Sequence, residues 1–204
     1  MNKAIFIEKD GTLIPDIPYN VNPDSITLET GVEGGLARLQ KEHYLFIIIS
    51  HQPGIAHGYF NEAAMVNVQK KILQLLHPKH IIINGFYYCP HHPHGKIKDY
   101  SVNCFCRKPQ PGLLLRAAKD FNIDLSKSWM IGNILNDTEA GKRAGCKTVL
   151  INNGKETEWL MNDYRIPDYE AKDFTDAASF IANGVEEVSI NRDMENSLLR
   201  YKTL

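Results

Sequence analysis

Short apolar runs alternate with helical patterns along most of this 204-residue chain, and this alternation restricts the folds that it can adopt. The run YLFIIIS at 44–50 is almost continuously apolar, which is typical of a parallel strand buried on both faces. The predicted strands occupy 4–7, 44–50, 80–84, 128–132 and 147–152. The predicted helices occupy 31–43, 61–76, 111–122, 137–145 and about 173–182. This β-α-β-α order predicts an α/β fold in which helices cover both faces of a mostly parallel sheet.

The length and charge of the chain are typical of one globular domain. A chain of 204 residues is long enough for one packed core, so 1–184 is predicted to form one domain and 185–204 a C-terminal extension. The net charge of −1 creates no global field that would attract nucleic acid or a membrane surface. No apolar stretch approaches the roughly 20 residues of a membrane span, and the first residues do not resemble a secretory signal. We therefore expect a cytoplasmic protein, in which clustered cysteines bind metal more often than they form disulfides.

The segment 89–108, CPHHPHGKIKDYSVNCFCRK, contains a Cys-x-His pair followed by a Cys-x-Cys pair. It lies in a region, 85–110, that has no usable periodicity and is predicted to be a long ordered loop. Because alternate side chains of an extended segment point the same way, the two pairs can supply four tetrahedral ligands to a closed, structural zinc site. The alternative is a surface loop that is rich in these residues without binding metal. The assigned ligands are Cys89, His91, Cys104 and Cys106, with His92 and His94 as substitutes and Cys146 as a separate buried residue.

Polar side chains follow the predicted strands at the points where each strand ends. Since ligands of an open parallel sheet bind beyond the carboxyl ends of its strands, these side chains are predicted to converge. Carboxylates, hydroxyls and cations together suit a phosphate group, because they can attack phosphorus, hold Mg²⁺ or balance charge. Each of them alone is more often an ordinary cap or turn residue. The candidates that follow strands are Glu8, Asp10, Thr12, Ser50, His51, Gln52, Asn133 and Asp137, and the candidates at the end of the loop, before the next helix, are Arg107 and Lys108.

Four short motifs resemble those of haloacid-dehalogenase (HAD) phosphatases. FIEKDGTL resembles their DxDGT signature, Ser50 matches the second motif, Lys108 the third and 132–137 the fourth. CPHHPHG and CFCRKPQPGLL, with HQPGIAHG upstream, are similar to the zinc-containing heptose 1,7-bisphosphate and histidinol-phosphate phosphatases, the heptose branch being nearer. The resemblance covers about residues 3–182. It implies a Rossmann-like HAD sheet with a zinc-binding loop and a minimal cap, and a phosphomonoesterase that acts on a phosphorylated sugar.

The resemblance also implies a role for each matching residue. The first acid of the signature, here Glu8, would attack phosphorus, and Asp10 would serve as general acid and then as general base. Arg107 would hold a second phosphate or the sugar. The remaining phosphate- or substrate-binding residues would be Thr12, Ser50, His51, Gln52 and Lys108. Mg²⁺ would be held by Glu8, Asp10, Asn133 and Asp137.

Several positions at the reacting centre depart from the family pattern. Glu8 and Asn133 each stand where the family has aspartate, and His51 and His57 replace Asn and Arg of the substrate loop. The extra methylene of glutamate moves the carboxylate by about 1.5 Å, and an error of roughly 1 Å can lower a rate about 100-fold. Asn133 removes one negative charge from a metal site that tolerates poor geometry badly. Magnesium binding is therefore expected to be weak.

Three interpretations are consistent with these departures. The chain is a phosphatase of reduced activity, or a catalytically silent relative that binds a phosphosugar or a protein partner. A third alternative is that the substitutions were introduced to trap a complex. A protein partner would contact the C-terminal extension, 185–204. Turnover measurements separate the first two interpretations.

Overall fold

The computed structural model describes residues 1–154 and 156–184, which form a six-stranded parallel sheet with helices on both faces. The strands are β1 (Ala4–Glu8), β2 (Leu45–His51), β3 (Ile83–Cys89), β4 (Trp129–Gly132), β5 (Lys147–Ile151) and β6 (Tyr169–Ala171). The helices are α1 (Val32–Lys41), α2 (Gly54–His57), α3 (Glu62–Leu76), α4 (Gly112–Asp120), α5 (Leu135–Ala144) and α6 (Phe174–Ala182). The strand order is β3-β2-β1-β4-β5-β6, so the chain changes direction across the sheet between β1 and β4. Such a reversal is where a ligand crevice forms in sheets of this kind.

Two apolar clusters lie on opposite faces of the sheet. Ile5 and Ile7 of β1 belong to the cluster that α1, α3 and α6 cover. Ala4 and Phe6, which alternate with them, belong to the cluster that α4 and α5 cover. Because consecutive side chains of a strand point to opposite faces, a strand covered on both sides must be apolar throughout. The predicted fold class is confirmed.

Most predicted helices agree with the structure to within a few residues. Asn61 is the N-cap of α3, as predicted, and its side chain accepts a hydrogen bond from the Ala64 N–H at 3.2 Å. Helix α4 begins immediately after Pro111, where a proline at the start of a helix leaves no intrahelical hydrogen bond unmade. The short elements α2 and β6 were not predicted, since their 4 and 3 residues are too few to show a repeating pattern.

The predicted boundary between the strand at 80–84 and the loop at 85–110 is wrong. Strand β3 begins at Ile83 and continues to Cys89, so the first of the predicted zinc ligands ends a strand. In the apolar run before it, Ile81 is 5% exposed but Ile82 is 65% exposed. β3 lies at the edge of the sheet, where half-buried side chains replace a continuous apolar run. Tyr87 and Tyr88 fill this role: the hydroxyl group of Tyr87 donates to the Asp120 carboxylate at 2.7 Å, and that of Tyr88 to the Glu62 carboxylate at 2.6 Å.

The long connection from β1 to α1, residues 9–31, consists of turns and one 3-10 turn at Pro23–Ser25. It covers part of the carboxyl edge of the sheet. The predicted C-terminal extension, 185–204, lies outside the described residues. Among the described residues, no helix is both long and apolar enough to cross a membrane.

Candidate active site and metal-binding cluster

A cleft of about 310 Å³ opens at the carboxyl ends of β1, β2 and β4. Side chains from the end of each strand line it, as the topology requires. It also receives side chains from the β1–α1 connection and from the end of the zinc-binding segment. The predicted site residues among its lining are Glu8, Asp10, His51, Gln52, Lys108 and Asn133.

A buried ion-pair network centres on Lys108. Its ammonium group donates to the Glu8 carboxylate and, at 2.5 Å, to Oδ1 of Asp137. Burial raises the pKa of Glu8 to about 8, which the Lys108 charge opposes and the neighbouring Asp137 carboxylate reinforces. Burial also acts against the charge on Lys108, but the two carboxylates outweigh it and hold its pKa above the ordinary value. The network therefore fixes the ammonium group between two acids at the cleft.

The backbone around β4 positions Asp137. Oδ2 of Asp137 accepts hydrogen bonds from the N–H groups of Asn133 and Ile134, both at 3.2 Å. These donors belong to the start of α5, where unpaired N–H groups favour an acidic side chain. The side chain also packs so closely on Gly132 that a Cβ there would overlap it. Asp137 is fully buried and orients Lys108 from outside the cleft lining.

Both oxygens of Asp10 have donors from the protein. The ammonium group of Lys9 contacts Oδ1, and Nε2 of Gln52 donates to Oδ2 at 2.9 Å. Gln52 also donates to Oγ of Ser50 at 2.8 Å, which links the ends of β1 and β2. Lys9 is 1% exposed and was not predicted as a site residue. Its position between the two acids of the signature was the signal that could have identified it.

The loop after β1 holds the side chain of Asn133. The hydroxyl group of Thr12 donates to Oδ1 of Asn133 at 3.1 Å. Gly11 has a φ of +78°, and a side chain at this position would overlap the Asn133 amide. An amide oxygen has two lone pairs, so one remains for a further partner.

His51 is a neutral side chain at this site. Its Nε2 lies 3.1 Å from the main-chain oxygen of His91. Burial lowers the pKa of His51 to about 4, and the charges of Arg107 and Lys108 act in the same direction. The imidazole therefore carries no charge at neutral pH.

Four predicted residues do not line the cleft: Thr12, Ser50, Arg107 and Asp137. Three of them contact residues that do, through the hydrogen bonds described above. Seven lining residues were not predicted: Asp16, Ile17, Pro18, Tyr19, Pro53, Ile134 and Asn136. Most of them follow β1, β2 or β4 within ten or so positions. The rule that ligands bind beyond the carboxyl ends of strands could have identified them.

The structure brings Cys89, His91, Cys104 and Cys106 together. Their ligand atoms all lie within 4.8 Å of one another, and three sulfur–sulfur distances are 3.5, 3.2 and 3.2 Å. Nδ1 of His91 lies 3.7 Å from Sγ of Cys89 and 3.2 Å from Sγ of Cys106. In tetrahedral zinc sites with bonds of about 2.0–2.3 Å, neighbouring ligand atoms lie roughly 3.5–3.8 Å apart. The cluster therefore has the donors and nearly the dimensions of a four-coordinate zinc site.

His92 and His94 are not part of this cluster. The ring of His92 lies 4.6 Å from that of His57 and 5.9 Å from that of His94, measured between centroids. The two residues that were considered as substitute ligands thus lie in a separate row of rings.

The sequence and the fold are similar to those of known phosphatases. Residues 105–177 match the HAD-hydrolase-like family. The D-glycero-beta-D-manno-heptose-1,7-bisphosphate 7-phosphatase of Pasteurella multocida is 41% identical over 156 residues, which are 76% of this chain and 84% of that protein. The protein of the same name from Escherichia coli K12 is 34% identical over 168 residues, 78% of this chain and 88% of that protein.

Two solved structures extend this similarity to the fold. One is a putative HAD-like phosphatase from Mesorhizobium loti, with a TM-score of 0.77, 27% identity, and coverage of 89% of this chain and 87% of that one. The other is D,D-heptose 1,7-bisphosphate phosphatase from B. bronchiseptica in complex with magnesium and phosphate, with a TM-score of 0.74, 26% identity, and coverage of 87% and 96%. The family match, the relatives and these structures together identify the class of the protein as that of HAD-like phosphatases. Within that class, the chain belongs to the family of heptose bisphosphate phosphatases.

Proposed function

We propose that the cleft binds the phosphate group of a phosphorylated sugar and that the protein is a phosphomonoesterase of reduced activity. The observation that carries this proposal is the convergence of Glu8, Asp10 and Lys108 on one cleft. Family membership supports it, because the relatives are named for a sugar bisphosphate and one solved neighbour contains phosphate.

Each side chain has a role that its position supports. Glu8 attacks phosphorus and the bond to the sugar oxygen breaks, while Asp10 protonates that oxygen. Asp10 then takes a proton from water, which attacks the same phosphorus, breaks its bond to Glu8 and releases inorganic phosphate. Lys108 orients the Glu8 carboxylate and balances the charge of the phosphoryl oxygens. Gln52 holds Asp10 in place, and His51 offers an uncharged polar surface beside it.

The donor set fits magnesium weakly. Glu8, Asp10 and Asn133 line one cleft and can offer oxygen atoms to the ion. When bound, Mg²⁺ supplies positive charge at the phosphoryl oxygens. Asn133 offers a neutral oxygen in place of a carboxylate, and Thr12 already occupies one of its lone pairs. Weak magnesium binding and a displaced carboxylate both lower the expected rate.

A second candidate function, a phosphosugar-binding protein without turnover, is favoured by the state of Glu8. Burial raises the pKa of Glu8 above its ordinary value, which favours the uncharged form of the carboxyl group. A neutral carboxyl group is a poor nucleophile. The ligand would be the same in both cases, so the two candidates differ only in turnover.

We also propose that Cys89, His91, Cys104 and Cys106 bind one structural zinc ion. The four ligands close the tetrahedron, so no position remains for water or substrate. Lys108 lies two residues after Cys106, and the cluster therefore helps to position the cleft's cation.

A phosphate-release assay over a panel of sugar phosphates tests the proposal. The unaltered chain is expected to release phosphate in Mg²⁺ at a low rate, and Asp10→Asn is expected to abolish the release. Calorimetric binding of the same esters, measured in parallel, separates the two candidates. Binding without release identifies a binding protein, and the absence of both contradicts the proposed function.

Restoring the aspartates tests the account of the reduced rate. The double variant Glu8→Asp with Asn133→Asp is expected to raise phosphate release by about 100-fold, since it corrects the carboxylate position and the charge at the metal. The exposed Glu33→Asp serves as a control for shortening an acid elsewhere. A double variant that remains as inactive as the parent would show that these two residues do not limit the rate.

A further inference from the structure

Asn136 lines the cleft without belonging to the ion-pair network around Lys108. It is the second residue of α5 and is half-buried. Its side-chain oxygen, Oδ1, accepts a hydrogen bond from the guanidinium group of Arg165 at 2.9 Å. Within the described part of the chain, this is the only hydrogen bond of the Asn136 side chain. The NH2 group of the amide therefore remains for a ligand.

Arg165 determines which end of this amide a ligand meets. A guanidinium group has donors and no acceptor, so only the oxygen end of the Asn136 amide can face it. The NH2 end must then point away from Arg165. Because Asn136 lines the cleft and Arg165 does not, the NH2 end is the one presented to a ligand in the cleft.

The guanidinium group of Arg165 is itself held in one orientation. Its Nε donates to Oε2 of Glu139 at 2.6 Å, and its Nη1 donates to the main-chain oxygen of Leu160 at 3.0 Å. The side chains of Arg165 and Glu139 are only 14% and 5% exposed. Three acceptors on different parts of the chain thus occupy a planar group whose donors have fixed directions. The amide of Asn136 rests on a fixed support.

The charges around Asn136 favour an uncharged acceptor. Glu139 balances the charge of Arg165, and Asn136 itself carries none. Phosphate oxygens bind charged donors more strongly than neutral ones, so the transferred phosphate takes Lys108. A second phosphate would favour Arg107, whose charge acts on the lining residue His51. The acceptors that remain on a phosphorylated sugar are its hydroxyl groups.

We infer that Asn136 is a specificity-determining residue whose amide NH2 group donates to a hydroxyl group of the sugar, and that Arg165 is its positioning residue. This inference rests on the proposed function and adds a contact with the sugar to it. Loss of the contact lowers the affinity for sugar phosphates and leaves the affinity for a simple phosphate ester unchanged.

Three ligands, titrated calorimetrically into the unaltered chain and into Asn136→Leu, test this inference. Leucine has nearly the shape of asparagine but can neither donate nor accept a hydrogen bond. The ligands are the heptose 1,7-bisphosphate for which the relatives are named, the same heptose with its C7 phosphate alone, and ethyl phosphate, which contains no sugar. Mg²⁺ is omitted to prevent turnover.

Asn136→Leu is expected to weaken the binding of both heptose esters about three- to tenfold, which is the range for one uncharged hydrogen bond. Ethyl phosphate is expected to change less than about twofold. Asn67→Leu, at an exposed asparagine of α3 outside the lining, is the matched control and should change none of the three affinities. Urea unfolding verifies that each variant is folded under the conditions of the titration.

A double-mutant cycle tests the role of Arg165. Arg165→Met is expected to weaken both heptose esters about two- to fivefold in the parent and to have no further effect in Asn136→Leu, because Arg165 acts through the amide. Arg143→Met removes the other cation that donates to Glu139, at 2.8 Å, and is the control. It is expected to lower stability and to leave the affinities unchanged. Additive effects of Arg165→Met and Asn136→Leu would overturn the positioning role.

The outcomes separate this inference from the proposed function. Weakening of the bisphosphate alone would assign the donor to the second phosphate, and equal weakening of all three ligands would assign it to the transferred phosphate. Either result, or unchanged binding of all three, would overturn the inference and leave the proposed function standing. If no ligand binds the unaltered chain, the proposed function and the inference are both overturned.

Discussion

The reacting centre of this protein differs from an aspartate-based one in two ways: Glu8 adds a methylene group, and Asn133 removes one negative charge. Glu8 still accepts a hydrogen bond from the Lys108 ammonium group despite its longer side chain. Asp137 accepts a second hydrogen bond from the same group. Breaking such a buried pair typically costs about 3–5 kcal/mol, because the remaining charge stays buried. The network is therefore a structural unit as well as a candidate reacting centre.

His51 makes the stability of the protein depend on pH. Its pKa of about 4 in the folded protein lies below the ordinary value of 6.5, so the unfolded chain takes up the proton first as pH falls. Its contribution is intact above pH 6.5 and is lost between about pH 6.5 and 4, with a loss on the order of 2 kcal/mol at pH 5. His51→Asn cannot titrate and is expected to lose less stability than the parent between pH 7.5 and 5.

Urea unfolding of zinc-loaded protein at the two pH values measures this difference. The exposed His77→Asn is the control, since it removes a histidine that is not buried. An equal loss of stability in the parent and in His51→Asn would show that protonation of His51 does not cause the loss of stability at acidic pH.

At the scale of elements, the edge strand β3 connects the sheet to the cluster of Cys89, His91, Cys104 and Cys106. Cys89 is its last residue, and the main-chain oxygen of Cys89 accepts a hydrogen bond from the N–H of Gln52 at 2.8 Å. Tyr88 and Tyr100 both donate to the carboxylate of Glu62 at 2.6 Å, which joins α3, β3 and the segment after it. The cluster is thus attached to the domain on two sides.

The start of β3 can be tested by two neighbouring substitutions. Ile81→Ala is expected to lower the free energy of unfolding by about 2–4 kcal/mol, because Ile81 is buried. Ile82→Ala is expected to cost less than about 0.5 kcal/mol, because Ile82 is mostly exposed. Chemical denaturation measures both, and equal costs would favour a strand buried at both positions.

The zinc prediction concerns the cluster at the end of β3, to which Cys89 belongs. Protein purified without chelator is expected to contain about one zinc ion per chain by elemental analysis, and Cys104→Ser less than about 0.2. Cys146→Ala, at a buried cysteine outside the cluster, is the matched control and should retain the metal. Full occupancy in Cys104→Ser, or none in the parent, would contradict the assigned site.

At the scale of the whole molecule, the cleft joins segments that are distant in sequence. Glu8 and Lys108 are 100 positions apart, and the hydrogen bond from Thr12 to Asn133 spans 121 positions. A ligand that bridges these segments binds only the folded chain. Ligand binding is therefore expected to stabilise the entire domain.

This linkage predicts the effect of removing Lys108. Phosphate at about 100 times its dissociation constant is expected to stabilise the parent by about 2.7 kcal/mol. Lys108→Ala is expected to lose most of this ligand-dependent gain, since it removes the permanent cation of the described lining. Thermal unfolding with and without phosphate measures the gain separately from any lower baseline stability. The exposed Lys119→Ala is the control, and an undiminished gain in Lys108→Ala would point to a different anion site.

The sequence by itself determined the elements whose pattern is local. A run such as FIIIS identifies a buried strand, and Asn61 identifies a helix start, because each signal arises within a few neighbouring residues. The four residues predicted to bind zinc were also recognisable as a group, and the structure brings all four together. The convergence of Glu8 and Lys108 was predictable as well. Glu8 ends a strand and Lys108 ends the loop before the next helix, and ligands of a parallel sheet bind at that edge.

Tertiary structure decided what depends on neighbours that are distant in sequence. Only the sheet order made β3 an edge strand with half-buried side chains, in which Tyr88 stands in place of an apolar residue. Only the fold added Tyr19 to the lining of the cleft and left Arg107 outside that lining. Burial and pairing depend on which chain segments pack together, and a local pattern carries no record of that choice.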